Sequence, residues 1–146
     1  MTQGISASGR KMLVKLGDGA SPEVFAAPCA MTSRGLNRTK EVNASTSPDC
    51  DDLDAVPWTE QEVLSRSWAV SGSGKILKAH VAIWDDFFDL DTAKNLQVDI
   101  TFSDATVRRY SGAAHLTEFN ITGEDGDKVT YDVTLTGDGP LTAATV

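Results

Sequence analysis

Two short stretches of strict alternation constrain the fold of this chain more than any other feature. They run from Leu96 to Phe102 and from Val129 to Leu135. A period of two places apolar side chains on one face of an extended strand and polar side chains on the other. These stretches therefore predict half-buried antiparallel strands and a mainly β domain.

Length and charge narrow the class of protein. A chain of 146 residues is long enough for one domain with one core. Its formal net charge is −8, from 13 basic and 21 acidic residues. This balance argues against a protein that grips a phosphate backbone with a basic patch.

The cysteines and the apolar stretches of the sequence indicate in which compartment the protein is made. Cys29 and Cys50 do not form a CxxC pair, and we expect two free, unreactive thiols. Residues Met1 to Lys11 lack the apolar centre of a secretion signal, and no run approaches the ~18 apolar residues of a membrane span. We expect a protein made and folded in the cytoplasm, without a membrane partner.

The first half of the chain is predicted to be extended. Alternation from Met12 to Leu16, followed by a glycine turn, predicts an opening hairpin that returns through Glu23 to Ala27. Met31 to Thr46 is predicted to be a polar ribbon that leans on a partner surface. Ser47 to Glu62 contains two prolines and many acids, which predicts a long exposed loop that carries function or lies in an interface.

The second half combines strands with one helix. A period of two from Trp68 to Ile76 predicts a strand, and apolar residues at helical spacing predict a helix at about 77–90. Strands are then expected at Leu96 to Phe102, at Val107 to Tyr110 and through Leu116 to Ile121. A phase shift in the last of these predicts a bulge.

The end of the chain is predicted to be a hairpin followed by a tail. The Asp125-Gly126 pair favours a tight turn into the strand Val129 to Leu135. The tail from Leu141 to Val146 is mildly apolar with alternating character and is suited to adding a strand to a neighbour's edge.

No motif assembles a catalytic, cofactor or metal site. The acidic loop has Asp54 where a calcium loop needs glycine for its sharp turn. His80 and His115 do not lie beside a nucleophile signature, and Gly72-x-Gly74 lacks the third glycine of a dinucleotide fingerprint. We therefore expect a structural or binding protein that is not an enzyme and has no cofactor.

The order of elements resembles that of the tail tube proteins of long-tailed bacteriophages and the major tail protein of gene transfer agents. The resemblance spans about Gly9 to Val146. It depends on four segments together: Gly9-Arg10-Lys11-Met12-Leu13-Val14-Lys15, Ala69-Val70-Ser71-Gly72-Ser73-Gly74, Leu96 to Phe102, and Tyr131-Asp132-Val133-Thr134-Leu135-Thr136-Gly137.

The resemblance implies a two-sheet antiparallel β sandwich or barrel with one flanking helix, in a single domain of residues 10–146. Residues 1–9 are rich in Ser, Gly and Thr, which predicts a flexible arm that orders only on contact with a partner. It implies a virion structural protein whose hexameric rings stack into a hollow tail tube through which the genome passes during ejection. The implied partners are further copies of the chain, a tape measure protein inside the tube, and tail terminator and distal tail proteins at its ends.

Simple physics favours the same assembly. Pairing edge to edge around a closed ring removes the exposed edges of a sheet. An acidic bore repels a phosphate backbone, so double-stranded DNA slides without sticking. Candidates for bore-facing acids lie between apolar or β-favouring neighbours, although these positions are equally compatible with a face in outer solvent. They are Glu41, Asp99, Glu118 and Asp132.

Contacts between subunits and rings are assigned to the N-terminal arm, the acidic loop and the tail. Trp58, a large aromatic in the acidic loop, is expected to anchor in a neighbour's pocket. The loop acids need basic partners, for which three cations of the ribbon are candidates. The contact candidates are Trp58, Asp49, Asp51, Asp52, Asp54, Arg34, Arg38, Lys40 and Leu141.

Two other functions remain open at this point. One is a monomeric β-sandwich that binds a sugar or peptide, with Trp58, Trp68 and Trp84 as its platform. The other is the tube protein of a contractile secretion system, which shares the sheet architecture.

Overall fold

Antiparallel strands dominate the structure, a computed structural model that describes residues 4–19, 21, 23–26 and 31–146. Cys29 lies outside the described residues, as do Ala27, at the end of the predicted return strand, and the first three residues of the predicted arm. A short 3-10 helix at Gly9–Lys11 precedes β1. The strands and the helix are β1 Met12–Gly17, β2 Phe25–Ala26, β3 Met31–Thr46, β4 Thr59–Lys75, α1 Lys78–Asp89, β5 Lys94–Thr101, β6 Val107–Thr122, β7 Thr130–Gly137 and β8 Thr142–Thr145.

The chain forms two compact units. Arg38–Ser67, here called the hairpin unit, comprises the C-terminal part of β3, the N-terminal part of β4 and the loop between them. Met1–Asn37 and Trp68–Val146 form the other, here called the sheet unit.

The strands of the described residues join in the order β2-β1-β5-β6-β7-β4-β3, and β8 also pairs with β6. β6 is long enough to bond β5 through Val107–Ala114 and β7 through Ala114–Thr122. One strand therefore links both halves into a single, curled antiparallel sheet. The mainly β fold and the one flanking helix that the sequence predicts are confirmed. The strands of the described residues form one continuous sheet and not the two sheets of the predicted sandwich.

The core of the sheet unit lies between the apolar face of the sheet and α1. Trp84 and Phe87 of the helix are fully buried, because the helical period brings them to one side. The Trp84 ring packs on Tyr131 of β7 and Phe119 of β6, with centroids 6.0 and 6.4 Å apart. These contacts fix the helix on β6 and β7, as expected for its aromatic residues.

Trp68 fastens the link between β7 and β8. Its ring lies against Gly137 and Gly112, where any added Cβ would collide with it. Its indole Nε1 donates to the Gly139 carbonyl at 3.0 Å. Only glycine leaves room for the indole at these two positions, so Trp68 holds the turn that redirects the chain from β7 onto β6.

Most element predictions are confirmed. β3 has the predicted bounds, α1 is one residue shorter at each end, and the pairing of β6 with β7 shifts register between Leu116 and Glu118, as expected of a bulge. The two predicted strands between Val107 and Ile121 are one continuous β6, and β4 already begins at Thr59 inside the predicted loop.

The turn at Gly126 and the C-terminal tail differ from their predicted structures. Asp127 donates its backbone N–H to Glu124 at 3.1 Å, with Gly126 at φ 91°, so the predicted turn forms inside a longer connection. The tail prediction is wrong for this chain on its own: β8 pairs with Arg108–Ser111 of its own β6. It takes the side of β6 that β7 leaves uncovered after Gly137.

Candidate functional site

The hairpin unit exposes every one of its residues, from Arg38 to Ser67. The hydroxyls of Thr39 and Ser67 share a hydrogen bond of 2.6 Å, and Ser65 donates to the Glu41 carboxylate at 3.4 Å. A two-stranded hairpin that buries nothing is marginally stable in water. The unit is therefore a candidate surface for a partner.

The loop at the end of the hairpin unit is ordered by its own carboxylates. Asp49 accepts the N–H of Asp51 at 2.9 Å, and Asp52 accepts the N–H of Asp54 at 3.2 Å. Such bonds are typical of Asx turns. The Asp51 and Asp54 carboxylates have no hydrogen bond or ion pair among the described residues, so they are available to a partner.

Large apolar side chains accompany these acids. Trp58 is 90% exposed, and Val56 and Leu53 are nearly as open. Cys50, in the same loop, is a free and exposed thiol. Exposed apolar side chains clustered among polar ones mark an interaction surface. The predicted anchor Trp58 is thus placed where a partner can reach it.

A second candidate surface is the polar face of β4, β6 and β7 in the sheet unit. It lies opposite the buried Tyr131, Val133 and Leu135, and it is rich in hydroxyls. Glu118 pairs with Thr134, and Asn120 pairs with Asp132. The other polar members are Ser71, Ser73, Lys75, His115, Thr117, Thr122, Thr130 and Thr136.

The four predicted bore acids fall in three places. Glu118 and Asp132 share this polar face at diagonal positions of β6 and β7, and both are exposed. Glu118 accepts from the Asn120 side chain at 2.6 Å. Glu41 is exposed in the hairpin unit, and Asp99 is buried in the sheet unit.

The prediction that Asp99 is a bore-facing acid is wrong, because its carboxylate is buried in the sheet unit. It is 3% exposed, and both of its oxygens are held by Arg109 at 2.8 and 3.1 Å, with Lys15 at 2.8 Å. Burial opposes its ionisation, but hydrogen bonds from Arg109 and Lys15 outweigh burial and lower the pKa of the carboxyl. Asp99 therefore clamps β1, β5 and β6 together.

Two predicted contact residues are also engaged within the chain. The Arg34 guanidinium donates to the carbonyls of Met31 at 2.6 Å and Gly9 at 2.9 Å, so it is not a spare partner for loop acids. Leu141 is half-buried against the core beside Gly112. Arg38 and Lys40 are exposed in the hairpin unit.

The tryptophan platform of a ligand-binding module does not form. Trp84 is fully buried and Trp68 is 6% exposed, because both pack into the core. Only Trp58 of the three faces solvent, and a single exposed ring in a loop is not a platform.

The described residues contain no group of three or more His, Cys, Asp or Glu arranged to hold a metal ion. The described part of the chain also has no helix long and apolar enough to cross a membrane.

Sequence reasoning missed Val42, Leu64 and Arg66, which stand on the exposed strands of the hairpin unit. A signal for them was present in the sequence: apolar residues in an otherwise polar ribbon have no core to enter when the whole hairpin is exposed, so they indicate a contact surface. It was hidden because the last residues before Trp68 were not recognised as a strand.

A family model and several solved structures match this chain. The family model described as phage tail tube protein matches residues 6–143. The tail of an empty gene transfer agent particle, solved with C6 symmetry, is similar over 95% of this chain and 99% of that chain, at 20% identity and a TM-score of 0.74.

Two further solved structures are similar. The SPP1 tail tube protein matches over 94% of this chain and 78% of that chain, at 12% identity and a TM-score of 0.68. A chain of the sheath-tube complex of an extracellular contractile injection system matches over 97% and 93%, at 14% identity and a TM-score of 0.60. No curated protein sequence matches this chain significantly.

Proposed function

Because this chain belongs to the phage tail tube protein family, we propose that its copies close into hexameric rings and that the rings stack into the hollow tail tube of a virion. The observation that carries the proposal is the hairpin unit, whose residues are all exposed. Thirty residues of ordered backbone without a buried side chain need cover, and stacked copies supply it. The sixfold symmetry of the similar gene transfer agent tail supports six copies per ring.

Closure of a ring would also cover the two edge strands of the sheet. The strand order ends at β2 on one side and β3 on the other. Among the described residues, β2 pairs with β1 at Leu16 and Gly17. Open edges invite strand pairing with another chain, and a closed ring satisfies them.

We assign the hydroxyl-rich face with Glu118 and Asp132 to the bore, and keep Glu41 as a third candidate. Hydroxyls and carboxylates offer no cationic contact for phosphates, so DNA passes during ejection without being held. Lys75 is paired into this face, as is His115, whose Nε2 lies 3.3 Å from the Asp138 carboxylate. The charge of Lys75 is offset by the two carboxylates of the face.

The proposed role is structural, without catalysis. The tube requires a tape measure protein inside it, a terminator above and distal tail proteins below. The similarity to chains from a tube-terminating cap and from a baseplate supports contacts at both ends.

A tube in a contractile injection system is the second candidate, favoured by the similarity to the sheath-tube complex. The gene transfer agent tail has the higher TM-score, 0.74 against 0.60. A sheath protein encoded beside this one would decide for the contractile system.

Electron microscopy of the concentrated, purified protein tests the proposal. We expect hollow tubes whose averaged cross-section has sixfold symmetry and whose bore is lined by the face of Glu118 and Asp132. Protein that stays monomeric in every salt and concentration, or a tube whose bore is lined by cations, would refute it.

A further inference from the structure

The hairpin unit is electrically polarised along its length. The stretch Ser47–Glu62, here called the acidic tip, contains six carboxylates and no Lys or Arg. Lys40 and Arg66 stand farther along its two strands, towards the opposite end. A like-charge cluster at each end, with opposite signs, costs energy in an isolated hairpin.

The register places the two cations side by side. Thr39 bonds to Ser67 and Glu41 to Ser65, so the strands run antiparallel with Lys40 opposite Arg66. The same antiparallel register places Val42 opposite Leu64. Since side chains alternate, these four share one face, here called the basic face, and Glu41 lies on the other.

The basic face has no counter-charge within its own hairpin. Neither Lys40 nor Arg66 makes an ion pair with any described residue of the chain. The nearest acid of the tip, Glu62, is four residues along β4 from Arg66, about 13 Å away. That distance exceeds the Debye length of about 8 Å at physiological salt. The acidic tip therefore neutralises the basic face of its own hairpin only weakly.

The two ends match in apolar character as well as in charge. The basic face carries Val42 and Leu64, exposed by 44% and 58%. The acidic tip carries Leu53, Val56 and Trp58. Each end thus combines an apolar centre with charges that the other end complements.

We propose that the acidic tip of one copy docks on the basic face of a second copy's hairpin. The inference rests on the proposed tube and names the surface that the tip recognises. The contact is head-to-tail, so each added copy leaves one tip and one face unoccupied at the ends of the stack. A head-to-tail contact of this kind propagates and gives a stack of open-ended length.

Charge reversal in full-length protein tests the pairing. One variant reverses the face: Lys40→Glu with Arg66→Glu. The other reverses the tip: Asp51→Lys, Asp54→Lys, Glu60→Lys and Glu62→Lys. These substitutions spare Asp49 and Asp52, which order the loop. Controls with the same charge changes on exposed residues elsewhere are Lys78→Glu with Lys128→Glu, and Asp85→Lys, Asp86→Lys, Asp89→Lys and Asp91→Lys.

Each hairpin variant alone brings like charges together, and we expect its critical concentration for tube formation to rise at least about tenfold. The controls should polymerise like the unmodified protein. An equimolar mixture of the two hairpin variants should form tubes again, because each variant's tip complements the other's face. Far-ultraviolet circular dichroism confirms that every variant is folded.

The outcomes separate the two proposals. Tubes from either hairpin variant at the unmodified concentration, or a mixture that fails while the controls assemble, would overturn the docking of tip on face and leave the tube proposal standing. Failure of the unmodified protein and the controls to assemble would instead overturn the tube proposal, and with it this inference.

Discussion

Trp58→Ala should separate folding from assembly. The Trp58 side chain is 90% exposed, so its loss should change the free energy of unfolding by less than about 0.5 kcal/mol. A tryptophan buries about 200 Å², and at about 25 cal/mol per Å² its burial against a neighbour contributes up to about 5 kcal/mol. Ordering the side chain and imperfect fit reduce this gain.

We expect a net loss of at least about 2 kcal/mol per contact, the level of an interface anchor. That loss corresponds to a critical concentration for polymerisation about 30-fold higher. Sedimentation of a concentration series measures it, and urea unfolding of the monomer measures stability. Phe88→Ala is the matched control, because Phe88 is a half-exposed aromatic on α1.

Two results would refute this reasoning. If Trp58→Ala polymerised at the unmodified concentration, the acidic tip would not be an anchored contact. If the monomer were destabilised by more than about 1 kcal/mol, the ring would have a role within its own fold, against its exposure.

Three further predictions concern the sheet unit. Asp99→Asn should lower the free energy of unfolding by about 1–3 kcal/mol in urea titrations at pH 7, because it leaves two partly exposed cations facing a neutral group. The pKa of Asp99 is lowered in the folded protein, so its stabilisation is fully present above the pKa of the unfolded chain and is lost as pH falls through the folded pKa. Acid unfolding of the variant should therefore depend less on pH below 3.8, the ordinary pKa of this carboxyl. Gly137→Ala should cost about 1–3 kcal/mol by displacing the Trp68 ring, measured as a lower midpoint in urea, and an equal cost in a Trp68→Ala background would contradict the proposed collision. Glu118→Lys with Asp132→Lys should leave tubes intact but slow genome ejection more at low salt than at high salt, and ejection at the unmodified rate would remove this face from the bore.

The sequence predicts the local features of the fold well, because each has a short-range cause. The bounds of β3, the position of α1 and the bulge after Leu116 follow from composition, a helical period and a break in alternation. None of these requires knowledge of which strands are neighbours.

What depends on neighbours could not be predicted. Asp99 looks like any polar residue of an alternating strand, and its burial follows from the pairing that brings Lys15 and Arg109 beside it. The tail looks suited to a foreign edge, but β7 ends early enough to leave it a place on its own β6. Leu141 was assigned to a contact between copies for the same reason.

The bulge in β6 gives one strand two opposite parities. Before Thr117 the interior residues are even-numbered, as at Ala114 and Leu116, and after it they are odd-numbered, as at Phe119. Thr117 is the inserted residue, held by its hydroxyl at 3.2 Å from the Thr134 carbonyl. In a regular strand, a shift of one residue in the pairing register would turn its apolar face towards solvent. In β6 the inserted Thr117 shifts the register by one residue at a fixed place. Apolar side chains therefore point into the core on both sides of the bulge, although they occupy even positions before it and odd positions after it.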